Sequence, residues 1–137
     1  MKYVIASDIH GSAFWCEKLV NAFKKEKADK LILLGDILYH GPRNDLPKEY
    51  DPKKVIATLR VPILLIQGTT DIQISVRDAE LLKQGQPKAE LQIIENMNHV
   101  MKDCPSKEPQ KQQVTYINPS LPLNKKLLNV IGIFIKR

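Results

Sequence analysis

The strongest constraint on the fold is a series of short apolar segments of strand length. Residues 30–34 (KLILL) and 62–67 (PILLIQ) are almost continuously apolar, which is typical of strands covered on both faces. Residues 2–7 and 91–94 predict two further strands. Segments with helical spacing separate these strands, and such alternation predicts a parallel sheet. We therefore predict an α/β fold, a single three-layer α/β/α sandwich with a mainly parallel sheet of four or five strands.

Capping signals mark where the intervening helices begin. Ser12 precedes a helix with apolar residues at helical spacing, and Asp51 precedes a proline at the first position of a short helix. Ser75 begins a capping box that opens a helix to about residue 83, and Asn124 caps a last helix. The segment 101–121 is polar and interrupted by prolines, so we predict a long loop there.

Length and composition indicate one ordinary globular domain over residues 1–137. The hydrophobic fraction is 43% and the charged fraction 26%. The net charge of +6 is divided evenly between the two halves rather than gathered on one segment, so we expect no nucleic-acid partner. No run approaches the roughly 18 apolar residues of a membrane span, and no signal peptide is recognisable. We expect a cytoplasmic protein with no membrane partner.

The two cysteines have no metal-ligand or disulfide spacing. Cys16 lies on the apolar face of the first predicted helix, which favours a reduced thiol in the core. Cys104 has no partner at a recognisable spacing.

Polar residues that can carry chemistry follow the predicted strands. Parallel α/β sheets place their ligand-binding groups at the carboxyl ends of the strands. Five such residues come just after strand ends: Asp8, His10, Asp36, Asp71 and His99.

Asp8, His10 and Asp36 form a mixed oxygen and nitrogen donor set. Such a set suits Mn, Zn or Fe rather than Ca or Mg. A carboxylate placed between two ions can bridge them, and a two-metal site activates water against a phosphate ester. We expect a divalent metal at these three residues.

The segments SDIHGS, LILLGDILYHGPRN and LPKEYDPKKVI resemble the small bacterial phosphodiesterases of the calcineurin-like metallophosphoesterase superfamily. The resemblance covers residues 1–60. It implies that Asp8, His10 and Asp36 are metal ligands, with Asp36 bridging. It also implies that three residues of the HGPRN loop approach the substrate phosphate: His40, Arg43 and Asn44.

The chain departs from that family after the third strand. The family shows a Gly-Asn-Cys/His-Asp turn there, with the asparagine on the second metal, whereas this chain has Thr69 in that position. The family also supplies histidines from later loops, but His99 is the only histidine after His40. At most half of the binuclear ligand set is therefore recognisable, and we expect the metal site to be weak or incomplete. A histidine that hydrogen-bonds its own loop is the structural alternative for His40.

The segments VPILLIQGTTDIQISVRDAELL, KAELQIIENMNHVMKD and TYINPSLPLNKKLLNVIGIFIK resemble the C-terminal part of α/β-hydrolases. The resemblance covers residues 61–137. It implies that Asp71 is the acid and His99 the base of a Ser–His–Asp-type triad. No serine lies in the strand-to-helix elbow that would hold the nucleophile. A hydrogen-bonded pair that only holds two loops together is the structural alternative.

These resemblances lead to three hypotheses. The first is an engineered or recombined chimera, a single hybrid α/β domain with an incomplete phosphodiesterase site, a vestigial acid–base pair and little native activity. The alternative is a metal-dependent phosphodiesterase or phosphatase in which His99 completes the site formed by Asp8, His10 and Asp36. The third is a non-catalytic module that binds a phosphate ion or a small phosphate ester. An uncovered sheet edge would favour a homodimer.

Overall fold

The computed structural model describes residues 1–7, 13–34 and 52–137. Within these ranges the strands and helices follow one another along the chain. The elements are β1 (Tyr3–Ser7), α1 (Ala13–Glu26), β2 (Lys30–Leu34), α2 (Pro52–Ala57), β3 (Ile63–Gly68), α3 (Val76–Gly85), β4 (Glu90–Ile94), α4 (Pro109–Ile117) and α5 (Lys125–Lys136).

The four strands form one parallel sheet in the order β1-β2-β3-β4. Ser7 pairs with Leu34, and Leu34 pairs in turn with Ile66. Gly68 pairs with Ile94 at the end of β4. The carboxyl ends of the strands therefore meet at one edge of the sheet. The predicted α/β fold with a parallel sheet is confirmed.

The sequential strand order explains how the helices are divided between the two faces. Successive crossovers of one hand, running in one direction across a sheet, place their helices on the same face. One core accordingly joins the sheet to α1, α2 and α3, and α5 covers the opposite face. The first core includes Cys16, Phe23, Leu31, Ile56, Leu65 and Leu82. The second includes Ile32, Leu64, Ile66, Ile94, Leu127 and Phe134.

The prediction of a long loop over residues 101–121 is wrong, because α4 lies inside it. Pro109 occupies the first turn, where a missing N–H costs nothing. The residues that α4 buries are polar, Gln112 and Thr115, and their side chains are satisfied by hydrogen bonds. A helix with this inner face has no apolar stripe, and hydrophobic periodicity therefore does not detect it.

Two predicted helix starts are confirmed by their hydrogen bonds. The Asp78 carboxylate accepts from the backbone N–H of Ser75 at 3.1 Å, as a capping box requires. The side chain of Asn124 accepts from Leu127 N at 2.9 Å. Leu128 in the first turn of α5 is 53% exposed, whereas Leu127 beside it is buried.

Cys16 is buried in the first core, as the sequence predicts, and Cys104 is buried as well. No helix in the described part of the chain is long and apolar enough to cross a membrane. Strands β1 and β4 lie at the two edges of the described sheet. Pairing of a second copy at such an edge stays a prediction.

Candidate functional site

The turn that follows β3 packs directly against the loop that follows β4. A Cβ built on Gly68 would overlap the backbone of Met97, with the carbonyl carbon only 2.6 Å away. Thr69 N donates to Ile94 O at 3.0 Å, and Thr70 N donates to Met97 O at 3.2 Å. These contacts bring the turn that carries Asp71 against the loop that carries His99.

Asp71 is a buried carboxylate with a full set of donors. Its Oδ1 accepts from the backbone N–H groups of Gln73 at 2.8 Å and Ile74 at 3.0 Å. Its Oδ2 accepts from Gln67 Nε2 at 3.1 Å and lies 3.0 Å from His99 Nδ1. The Asp71 side chain is only 3% exposed. Buried charge is tolerated where hydrogen bonds replace water in this way.

Two opposing effects act on the pKa of Asp71. Burial raises it, because a low dielectric disfavours the charged form. The hydrogen bonds from His99, Ile74 and Gln73 and the coulombic attraction to His99 lower it. The lowering effects prevail, and the pKa of Asp71 lies below its ordinary value. The carboxylate is therefore ionised at neutral pH.

Contacts with Asp71 and Tyr116 help to orient His99. Its Nδ1 faces the Asp71 carboxylate at 3.0 Å, and its ring stacks on Tyr116 with an interplanar angle of 11°. Because an ionised carboxylate can only accept, the Nδ1 proton is donated to Asp71. In the neutral imidazole the lone pair is then on Nε2, the state that suits a general base or a metal ligand.

A small open crevice of about 10 Å³ lies beside the pair at the carboxyl edge of the sheet. Asp71 and His99 contribute to its lining together with Leu34, the last residue of β2. In the sequence Leu34 is followed by Gly35 and Asp36. The crevice therefore connects the Asp71–His99 pair to the end of the strand that precedes Asp36.

Thr69 takes part in holding the turn. Its hydroxyl accepts from the backbone N–H of Asn96 at 2.9 Å. This bond ties the turn after β3 to the residues after β4. The threonine that stands where the resembled family has asparagine therefore has a structural contact of its own.

Six predicted site residues lie outside the described residues: Asp8, His10, Asp36, His40, Arg43 and Asn44. Their roles stay predictions. Among the described residues there is no group of three or more His, Cys, Asp or Glu side chains that could hold a metal ion. The structure brings Asp71 and His99 together, and their chemical roles also stay predictions.

Sequence reasoning missed residues that support the pair. Gln67 is 3% exposed and donates to Asp71, and Tyr116 stacks on His99. Gln67 carries a signal that could have found it, since it is the polar residue in an otherwise apolar strand that ends at the site. Tyr116 lies in α4, which the sequence pattern did not reveal as a helix.

The fold is that of a parallel α/β protein with a carboxylate–imidazole pair at the carboxyl edge of its sheet. The model of the calcineurin-like phosphoesterase family matches residues 1–119. The chain belongs to this family, whose members typically use divalent metals. The matched range extends past residue 60 and includes both Asp71 and His99.

Among curated relatives, the phosphodiesterase YfcE of Escherichia coli strain K12 is 40% identical over 77 residues. The match covers 54% of this chain and 42% of that protein, so the chain spans less than half the length of this relative. A solved structure of the E. coli phosphoesterase YfcE matches 70% of this chain and 49% of its own, with 31% identity and a TM-score of 0.40. The esterase RhEst1 from Rhodococcus sp. matches 51% of this chain and 25% of its own, with 22% identity and a TM-score of 0.32.

Proposed function

We propose that the chain is a metal-dependent phosphoesterase that hydrolyses small phosphodiesters, with His99 completing a site begun by Asp8, His10 and Asp36. One observation carries the proposal. The crevice beside the Asp71–His99 pair reaches Leu34, two residues before Asp36. The acid–base pair of the second half of the chain thus faces the sheet edge where the first half is predicted to hold its metal.

The described part of the site fits a metal in its chemistry. Imidazoles that bind metals commonly donate their other N–H to a carboxylate, as His99 does to Asp71. In the proposal Asp8, His10, Asp36 and His99 would hold the ion. A bound divalent metal would supply Lewis acidity and a water of lowered pKa.

The protein groups then have separate tasks. Asp71 keeps the proton on His99 Nδ1 and fixes the ring plane. The lone pair of Nε2 is then held in one orientation toward a metal ion or a proton donor. Three predicted polar residues of the HGPRN loop supply the positive charge and hydrogen-bond donors that a phosphodiester anion needs. They are His40, Arg43 and Asn44.

The test is hydrolysis of bis(p-nitrophenyl) phosphate after loading with Mn²⁺, combined with elemental analysis of the purified protein. We expect turnover that rises with Mn²⁺ and falls at least a hundredfold in Asp36→Asn, because a carboxylate that would hold the metal is lost. His99→Ala is expected to lose a similar factor. Glu95→Gln is the matched control, since Glu95 is an exposed carboxylate after β4.

Retained metal-dependent turnover in Asp36→Asn would exclude the proposal. An equal loss of turnover in Glu95→Gln and Asp36→Asn would also exclude it, because the loss would then not depend on the proposed metal site.

A second candidate is the recombined α/β chimera with little turnover. The Asp71–His99 geometry favours it, because a carboxylate held by backbone N–H groups and bonded to an imidazole is also the acid–base half of a hydrolase triad. Without a positioned nucleophile such a pair has little to activate. Background rates on both bis(p-nitrophenyl) phosphate and p-nitrophenyl acetate support this candidate. Acetate hydrolysis that His99→Ala abolishes contradicts it.

A further inference from the structure

A buried polar cluster lies directly behind the Asp71–His99 pair. Asn98 and Gln112 are each 1% exposed, and Thr115 is 6% exposed. Polar groups taken out of water cost free energy unless they are hydrogen-bonded, so a buried cluster of amides has defined geometry.

Gln112 of α4 bonds to both loops of the site. Its Nε2 donates to Thr70 O at 3.0 Å, and Thr70 directly precedes Asp71. Its Oε1 accepts from Asn98 Nδ2 at 3.2 Å, and Asn98 directly precedes His99. One side chain thus joins the residue before the acid to the residue before the base.

The other bonds of Asn98 fix the loop that carries His99. Its Oδ1 accepts from Lys102 N at 3.1 Å, and its own backbone N–H donates to Lys102 O at 3.0 Å. Its Nδ2 also donates to the Thr115 hydroxyl, which in turn donates to Gln112 O at 2.6 Å. The loop is therefore attached to α4 through two side chains of that helix.

A third bond fixes Gln112 itself. Its Nε2 donates to Ser106 O at 2.7 Å, so the amide is held at both ends. One turn further along the same helix, Tyr116 stacks on His99 and bonds through its hydroxyl to Gln73 Nε2 at 2.9 Å. Helix α4 therefore contacts both the turn that carries Asp71 and the loop that carries His99, once through Gln112 and again through Tyr116.

We propose that Gln112 is a positioning residue that sets the distance and orientation of His99 relative to Asp71. Its bonds to Thr70 O and Asn98 Nδ2 span the two loops at the residues directly before Asp71 and His99, and they add to the direct contacts of Thr69 and Thr70 with the residues after β4. The role in turnover rests on the proposed phosphoesterase function. The geometry of the pair is measurable without any activity.

The primary measurement is the tautomer of His99 by ¹⁵N NMR on the full chain at a pH where the imidazole is neutral. A His99→Gln spectrum identifies the His99 signals among those of the three histidines. We expect the wild type to hold the proton on Nδ1, because Asp71 accepts it there. In Gln112→Met the Nδ1–H fraction is expected to fall at least twofold, since methionine keeps the volume but makes no strong hydrogen bond.

Gln113→Met is the matched control, because Gln113 is the exposed neighbour on the same helix. It is expected to keep the wild-type tautomer. Gln112→Asn is the second variant and decides the question if Gln112→Met does not fold. Its shorter amide cannot reach both loops, so it is expected to show a partial loss of the Nδ1–H form.

A folded Gln112→Met or Gln112→Asn protein with the wild-type tautomer fraction overturns the inference. An equal loss in Gln113→Met overturns it too. If the wild type hydrolyses bis(p-nitrophenyl) phosphate, kcat is expected to fall roughly ten- to hundredfold in Gln112→Met with KM little changed. If the wild type does not, the proposed function fails, and the tautomer measurement still decides the role of Gln112.

Discussion

The carboxylate of Asp71 receives hydrogen bonds from two backbone N–H groups, from Gln67 and from His99 although its side chain is almost completely buried. The bond from His99 exists only in the folded chain, because residues 71 and 99 lie 28 positions apart in the sequence. The ionised form of Asp71 is therefore stabilised by folding. This difference between the folded and unfolded states makes stability depend on pH.

The first prediction concerns that dependence. The pKa of Asp71 in the folded protein lies below its unfolded value of about 3.8. The stabilisation is therefore complete above the unfolded pKa and is lost as the pH falls through the folded pKa. Between about pH 5 and about pH 3 the wild type should lose more of its free energy of unfolding than Asp71→Asn. Urea unfolding at a series of pH values measures this difference, and parallel curves for the two proteins would contradict it.

The second prediction concerns Thr70. Its Oγ1 is buried and has no hydrogen-bond partner in the part of the chain that the structure describes. An unsatisfied buried hydroxyl carries a desolvation cost of about 1–3 kcal/mol. Thr70→Val keeps the branched shape and removes the hydroxyl, so the free energy of unfolding should rise by about 1 kcal/mol. Urea unfolding measures it, and a loss of stability would show that the hydroxyl has a partner in solution.

At the scale of whole elements, helix α4 differs from its neighbours in what holds it. Helices α1 and α5 bury apolar residues, among them Phe23 and Phe134. Helix α4 buries Gln112 and Thr115 and is bonded at its C-terminal end by Lys102, whose Nζ donates to Thr115 O and Asn118 O. Hydrogen bonds are directional, whereas apolar contacts are not, so α4 is suited to fixing the geometry of the site.

The third prediction compares two glycines in different elements. Nothing lies within 4 Å of a Cβ built on Gly132 in α5, so Gly132→Ala should raise the free energy of unfolding by about 0.5–1 kcal/mol, because glycine is a poor helix former. Gly68→Ala, where β3 meets Met97, should instead lower it by at least about 1–3 kcal/mol, because backbone would have to move. Thermal unfolding of both variants tests the pair. Equal effects would show that β3 and the Met97 loop do not approach as closely as described.

At the scale of the molecule, one continuous sheet joins the two halves of the chain. Strand β2 of the first half pairs with β3 of the second over Leu31–Ile63 to Leu34–Ile66. The residues of these two strands contribute to both cores, and Ile32 and Leu64 are 0% exposed. The last residues of all four strands consequently lie at the carboxyl edge of one sheet.

The fourth prediction follows from the proposed metal site. A ligand that binds only the folded state raises the free energy of unfolding by about 2.7 kcal/mol when its free concentration is about one hundred times Kd. Mn²⁺ should therefore raise the Tm of the wild type by several degrees. The increase should disappear in Asp36→Asn and persist in Glu95→Gln. Differential scanning calorimetry with and without Mn²⁺ measures it, and an increase retained in Asp36→Asn would place any metal elsewhere.

Much of the fold is readable from the chain because its elements repeat with simple periods. The second predicted strand, residues 30–34, coincides with β2, and the capping signals at Ser75 and Asn124 mark true helix starts. The placement of Asp71 and His99 after strand ends also follows from sequence, because parallel strands end at one edge. The roles of the six residues outside the described ranges stay predictions.

The amino-acid sequence by itself determined the four strands, their parallel arrangement and the residues that follow them, since burial on a sheet imposes a pattern on neighbouring residues. Tertiary structure alone decided that Asp71 and His99 lie 3.0 Å apart, and that a helix whose buried residues are Gln112 and Thr115 stands behind them. The physical reason is the range of the interactions. Hydrophobic periodicity is a pattern among residues close together in the chain. The hydrogen bond from Gln112 to Thr70 joins residues 42 positions apart, and no periodic pattern in the sequence predicts it.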